Sequence, residues 1–301
     1  MTSDQQPSAF PLTQGGIRGW ATRDHYLTSE SWIGRDARYM AETAITRVWA
    51  ERGALIGWCR VCERYVDFLY AKPDHDGPPI WREYLTCTGC GFIMRHRLGL
   101  DLLLQVAMTM DRPPRVFLTE HASPRFVWAS QRWPDVIGSE FAPDVGTRRR
   151  LGRYLAMLQG VAAAEIRHED CTALNLPDAS QDAVLTFDVL EHVPDYRAAL
   201  REFARVLAPG GWLILSVPFD YGADEAIVRA RLLADGSVEH LLPPEYHGDP
   251  TSDDGCLAYY GFGWSLLDDM RAAGFTEAWV IDAWSPVWGW LGLSGVIVAR
   301  R

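Results

Sequence analysis

Apolar positions change their period along the chain, and the change divides it. From Ile33 to Arg52 they return at helical spacing, with Ala41, Ala44, Ile45 and Val48 on one face, which predicts a helix. Leu98 to Met110 is a second apolar helical stretch, broken by Asp111-Arg112-Pro113-Pro114. From Arg115 onward, short apolar runs alternate with helical patterns. Arg115–Thr119, Asp135–Ser139, Ala164–His168, Ala183–Phe187 and Trp212–Val217 read as strands. Pro124–Arg132, Thr147–Leu158 and Asp195–Leu207 read as the helices between them. In the last of these, Leu200, Phe203, Ala204 and Leu207 fit i, i+3, i+4, i+7, and Pro209-Gly210-Gly211 is expected to end it. Alternation of this kind predicts an α/β architecture with a parallel, doubly wound sheet. A polar insertion over 220–262 precedes a helix, Trp264–Ala273, and two final strands, Phe275–Ile281 and Leu293–Arg300. Residues 1–30 are polar, punctuated by Pro and Gly, and expected to form a flexible segment.

The chain has 301 residues, about two domains at ~150 residues each. Hydrophobic residues at 48% and charged residues at 23% exclude a fibrous or disordered chain. The formal net charge of −10 weighs against a general role on nucleic acid or anionic membrane. The first residues carry neither a basic nor an apolar segment of the secretory type, and a cytoplasmic location is expected. The longest uncharged stretch, Ser285–Ala299, is 15 residues with three glycines and a proline, too short and broken to span a bilayer.

Four of the six cysteines form Cys59-x-x-Cys62 and Cys87-x-x-Cys90. Each pair presents two thiolates to one tetrahedral ion, so together they predict a closed, structural Zn2+ site in a zinc-ribbon module. The residues between the pairs can form a strand–turn–strand around Pro73–Pro79. A redox dithiol pair is the competing reading. Cys171 and Cys256 fall outside the pattern.

Ligands of doubly wound sheets sit beyond the carboxyl ends of the strands. Glu120, Glu140, Asp170 and Asp188 follow the first four predicted strands in turn. A carboxylate after the second strand can take both hydroxyls of a ribose, and one after the third suits an adenine amino group. One after the first, Glu120, can face the cationic end of a ligand.

The segments Leu176–Val193 (LPDASQDAVLTFDVLEHV) and Ala199–Pro218 (ALREFARVLAPGGWLILSVP) resemble class I S-adenosylmethionine-dependent methyltransferases of the type 11 group. The resemblance runs from about residue 100 to the end. It implies a seven-stranded Rossmann-like sheet of order 3-2-1-4-5-7-6. It also implies an S-adenosyl-L-methionine pocket with Glu140 at the ribose, Asp170, Cys171 and Thr172 at the adenine, and the backbone of Asp188, Val189 and Leu190 at the methionine. The family's glycine-rich loop after the first strand is absent: the segment is Leu118-Thr-Glu-His-Ala-Ser-Pro124. Either that loop takes another path with Glu120 at the methionine end, or the pocket is degenerate. A four-cysteine module before the domain is similar in layout to sugar C-methyltransferases.

The expected organisation is 1–30, a helix and zinc ribbon over 31–97, and a methyltransferase domain over 98–301. The expected reaction is methyl transfer to oxygen or nitrogen of a small, polar, sugar-like molecule. Cyclisation by a cofactor-binding enzyme and a non-catalytic zinc-stabilised scaffold are the alternatives. His247, His192 and Glu191 are the candidate catalytic groups, His247 as base. His240, Glu245, Tyr246 and Asp249 are expected to face substrate from the Pro- and Gly-fixed run within the insertion. Trp279, Trp284, Trp288 and Trp290 are assigned to core or interface.

Overall fold

In the computed structural model, residues 10–14, 16–29, 32–71, 79–249 and 252–301 are described. Strand β1 (Ile17–Trp20) and helices α1 (Arg23–Ser29) and α2 (Trp32–Arg52) come first. Strands β2 (Leu55–Cys59), β3 (Arg64–Tyr70) and β4 (Leu85–Cys87) follow, with α3 (Trp81–Tyr84) before β4 and α4 (Met94–Met108) after it. The alternating region is β5 (Val116–Leu118), α5 (Pro124–Ser130), β6 (Val136–Gly138), α6 (Val145–Gln159), β7 (Gln181–Phe187), α7 (Tyr196–Val206) and β8 (Leu207–Ser216). The insertion holds β9 (Ile227–Val228), β10 (Ala230–Leu232), β11 (Val238–His240), β12 (Tyr246–Asp249), β13 (Ser252–Leu257) and β14 (Tyr260–Gly261). Helix α8 (Ser265–Ala272), β15 (Glu277–Ala283) and β16 (Val296–Arg300) close the chain.

One seven-stranded sheet has the order β1-β15-β16-β8-β7-β5-β6. Strands β6-β5-β7-β8-β16-β15 fill the expected positions 2-1-4-5-7-6. Position 3 differs: Ala164–His168 contributes only a single parallel bridge, Glu140 to His168. Only Ile166 of that segment is buried among the five residues, so little apolar burial drives a longer edge strand. The seventh strand is instead β1, antiparallel to β15 with Ile17 opposite Ala283 and Trp20 opposite Val280. Residues 17–29 are therefore a strand and a helix rather than a flexible segment, because Ile17, Trp20 and Tyr26 are buried.

The chain divides into two compact units, Met1–Val106 with Trp279–Ile297, and Ala107–Ala278 with Val298–Arg301. In the first, β2, β3 and β4 form an antiparallel sheet. Phe68, Leu85, Met94 and Leu98 are fully buried around it. The turn expected around Pro73–Pro79 lies almost wholly outside the described residues. Gly57 is required by close approach, since a Cβ there would sit 2.3 Å from the Val287 carbonyl oxygen. Glu42 on α2 accepts from Trp81 Nε1 at 3.1 Å, Trp284 Nε1 at 2.9 Å and Gly292 N at 2.8 Å. Trp279 and Trp290 are core residues, as expected.

In the second unit, β8, β7, β5 and β6 are parallel. Val184, Leu185, Leu213 and Ile214 are fully buried, the mark of strands covered on both faces. Helices α5, α6 and α7 start on Ser123, Asp144 and Asp195, whose side chains accept from Phe126, Thr147 and Ala198 N–H groups. Helix α7 stops at Val206, and Pro209-Gly210-Gly211 lies inside β8 rather than between helix and strand. A register irregularity between Gln181 and Ala183 accommodates that stretch. The insertion is built from three small antiparallel pairs, β9 with β14, β10 with β11 and β12 with β13.

Candidate active site

The acidic residues at the strand tips are drawn together by backbone geometry. Glu140, just past β6, is nearly buried, and its Oε1 accepts from the N–H groups of His121 and Ala122 at 2.8 and 2.7 Å. One carboxylate oxygen thus supplies the acceptor that fixes the glycine-free loop after β5. The close approach that the loop itself lacks a glycine for is met on the next strand. A Cβ on Gly138 would lie 2.6 Å from the Phe126 ring and 2.9 Å from His121 Cα. His121 Nδ1 accepts from Arg167 N at 3.2 Å, and its ring meets Phe126 edge-on at 4.4 Å. Burial, with Arg167 adding, pushes His121 down to about 4, so the ring is neutral at physiological pH.

Glu120 does not wait for a ligand cation: it is paired with Arg125, whose Nε donates to Oε1 at 2.6 Å and whose Nη2 donates to Oε2. Burial works against the Arg125 charge. Glu120, helped by Asp188 and Glu140, outweighs it and holds the guanidinium above its ordinary range. One arginine therefore shares its field with three carboxylates from the ends of β5, β6 and β7. Asp188 takes a left-handed backbone (φ 49°), and its N–H donates to Ser216 O at 2.9 Å. Val189 and Leu190 continue from it into a single 3-10 turn over Leu190–His192. On the other flank, Glu169 N donates to Glu140 O at 3.2 Å, which brings the 167–170 stretch beside the end of β6. Asp170 Oδ1 accepts from Thr172 N and Oγ1 at 2.8 and 2.7 Å. Burial, and then Asp170, pushes the Cys171 thiol up to about 12, so it stays neutral.

A second cluster lies past the tip of β7. Glu191 is fully buried and neither carboxylate oxygen has a hydrogen-bond partner. Its Oε1 is 3.9 Å from His192 Nε2 and 3.7 Å from His247 Nδ1, and those two nitrogens are 3.2 Å apart. The outer nitrogens are engaged: His192 Nδ1 meets Leu257 O at 2.8 Å and His247 Nε2 meets Glu245 Oε1 at 3.2 Å. The nearby Glu191 carboxylate, against burial and with help from Glu245, raises His247 to about 8. Glu245 also pairs with Arg229 at 2.9 Å.

The expected substrate face is therefore only partly assembled. Glu245 joins the cluster. Tyr246 is exposed and neighbours His247 on β12, where consecutive side chains point to opposite faces. His240 is exposed on β11, across from Ala230. The side chain of Asp249 lies outside what is described. Three contributors escaped the sequence reading: Arg125, the Leu257 carbonyl and Arg229. Only Arg125 left a signal, as a basic residue five positions after Glu120.

In the other unit, the four cysteine sulfurs lie within 4.8 Å of one another, with Cys62 and Cys87 at 3.6 Å. A tetrahedral ion with Zn–S bonds of about 2.3 Å needs sulfurs about 3.8 Å apart, so the donor set fits. The two turns repeat each other: Glu63 N donates to Cys59 O and Gly91 N to Cys87 O, both at 2.8 Å. Glu63 (φ 55°) and Gly91 (φ 73°) are both left-handed. Burial, with Cys59 adding, pushes Cys62 up to about 12, hydrogen bonding to Cys59 raises Cys90, and hydrogen bonding from Cys59 and Cys90 draws Cys87 down. Arg97 is buried beside them, donating to Trp288 O at 2.9 Å and Gly289 O at 2.8 Å. Burial lowers its pKa while the cysteines oppose that shift.

An α/β sheet with positions 2-1-4-5-7-6 filled, parallel over β6-β5-β7-β8, has the strand order of the class I methyltransferase fold. Residues 128–215 match the family model described as a methyltransferase domain. A probable S-adenosylmethionine-dependent methyltransferase of Mycolicibacterium smegmatis is 34% identical over 122 residues, 38% of this chain and 46% of that protein. A demethylmenaquinone methyltransferase of Thermus thermophilus is 37% identical over 125 residues, 40% of this chain and 52% of that protein. The chain thus spans about half the length of these curated relatives. An amino pentose methyltransferase of Micromonospora echinaspora, solved with S-adenosylmethionine bound, aligns at 19% identity over 69% of this chain and 92% of its own, with a TM-score of 0.43. Among the described residues, no helix is long and apolar enough to cross a membrane.

Proposed function

We propose that the chain transfers a methyl group from S-adenosylmethionine to oxygen or nitrogen of a small polar molecule, and that its four cysteines hold a structural zinc ion. The observation that carries this reading is the placing of Glu120, Glu140 and Asp188 just past the ends of three adjacent parallel strands, all within the field of Arg125. When bound, S-adenosylmethionine supplies a methyl group on a sulfonium, open to in-line displacement. Glu140 would hold the ribose and keep the loop after β5 in place. Asp170, Cys171 and Thr172 would flank the adenine, and the Asp188–Leu190 backbone the methionine. Glu120, already paired with Arg125, sets the field of the cradle rather than touching the sulfonium end.

The Glu191, His192, His247 and Glu245 cluster follows Asp188 directly and would receive the acceptor. Its inner ring nitrogens accept the acceptor's proton, and buried Glu191 stabilises the imidazolium that results. A polar, sugar-like acceptor suits the mixed carboxylate and imidazole lining. Calorimetric titration with S-adenosylhomocysteine tests the cofactor half: saturable binding is expected, and no heat at high micromolar ligand would overturn it. A screen for the mass gain of one methyl group on candidate acceptors tests the transfer.

A further inference from the structure

Each histidine in the second cluster has one nitrogen committed to an outward hydrogen bond. A carbonyl only accepts, so His192 must donate from Nδ1 to Leu257 O, which leaves its Nε2 as a lone pair. Glu245 likewise takes the Nε2 proton of His247, which leaves Nδ1 as a lone pair in the neutral ring. The third member, Glu191 Oε1, belongs to a fully buried carboxylate without a hydrogen-bond partner. Three acceptors therefore converge on one point, at 3.2, 3.7 and 3.9 Å from one another. Ligands about 2.1 Å from a common ion, at 90–109° to each other, stand about 3.0–3.4 Å apart. The nitrogen–nitrogen edge already has that length, and rotation of the Glu191 carboxylate would shorten the other two. Imidazoles whose remote nitrogens are fixed by a carbonyl and a carboxylate are the arrangement that orients metal ligands.

We infer that Glu191, His192 and His247 bind a divalent first-row transition metal, a site separate from the four cysteines. Two imidazoles and one carboxylate on one side of the ion leave positions open for an oxygen ligand. On the proposed methyltransferase reading, the ion takes the place of the inner ring nitrogens as the group that activates the acceptor. Its open ligand is a hydroxyl of the acceptor, which narrows the acceptor class to oxygen nucleophiles able to reach a metal. The metal site itself does not depend on that reading.

The test is a cobalt(II) titration, followed by visible absorption, of the full chain carrying one zinc per chain at the cysteines and freed of excess zinc by gel filtration. One cobalt per chain is expected, with weak d–d bands and no thiolate-to-cobalt charge transfer, which would mark exchange at the cysteines. His247→Ala, at a half-buried position on a small hairpin, should weaken cobalt binding about tenfold or more while leaving the circular dichroism spectrum and S-adenosylhomocysteine affinity unchanged. His192→Ala should act alike. Absence of d–d bands at millimolar cobalt, or equal binding by a folded His247→Ala chain, would overturn the site. Failure of S-adenosylhomocysteine to bind while cobalt still does would sink the methyl-transfer reading and leave the metal site standing.

Discussion

The loop contact of Glu140 and its proposed ribose contact can be separated by a pair of substitutions. Glu140→Ala removes the oxygen that His121 and Ala122 N–H groups donate to at 2.8 and 2.7 Å. Each buried donor left without a partner costs about 1–3 kcal/mol, so the pair should cost about 3 kcal/mol after partial hydration. For a unit of this size that lowers the melting temperature by about 6–12 °C. Glu140→Gln keeps a carbonyl oxygen for the loop but loses the charge proposed to face a ribose. It should melt within about 3 °C of the parent and bind S-adenosylhomocysteine about tenfold more weakly, since a charged acceptor exceeds a neutral one by about 1.4 kcal/mol. Scanning calorimetry and ligand titration on the three chains read both effects. Parental affinity in Glu140→Gln would show that the carboxylate does not meet the cofactor. A parental melt in Glu140→Ala would show that the loop is held by other means.

Cys59→Ser or Cys90→Ser should drop bound zinc from about one per chain to well below half, measured by atomic emission after gel filtration. Arg97→Met should destabilise the zinc-loaded chain by about 3–5 kcal/mol in urea unfolding, because two carbonyls lose a charged donor and the sulfurs lose a buried counter-charge. The same change should cost less after chelation, and an equal cost would separate the arginine from the metal. Gly138→Ala forces a methyl against Phe126 and the His121 backbone and should cost about 1–3 kcal/mol. His121 titrates near 4 in the folded chain against 6.5 unfolded. Its contribution is complete above pH 6.5 and is lost as pH falls toward 4, where the unfolded chain binds the proton first. His121→Asn should flatten that limb of the melting-temperature profile, and an unchanged slope would remove the histidine from it.

Local signals were legible and relational ones were not. The buried strands announce themselves because Ala183–Phe187 and Trp212–Ser216 are apolar wherever both faces are covered. The cysteine site is legible because each half is a four-residue turn whose spacing contains its own geometry. Ala164–His168 misleads because alternation alone does not say whether an edge segment will bury enough to extend its ladder. Ile17–Trp20 is too short to carry a period, yet its two large apolar ends secure a place in the sheet. The strand-tip carboxylates could be found by position, but their actual partners could not. Arg125 reaches Glu120 only once α5 is capped on Ser123, and Leu257 reaches His192 only once the insertion folds back.

The family match ends at residue 215, while His247 stands on a hairpin beyond it. Glu191 and His192 thus lie inside the matched stretch, and His247 joins them from outside it. On the proposed reading, exchanging the hairpin retunes the acceptor while the cofactor cradle is left alone. Similarity confined to one stretch of chain therefore says little about chemistry that another stretch completes.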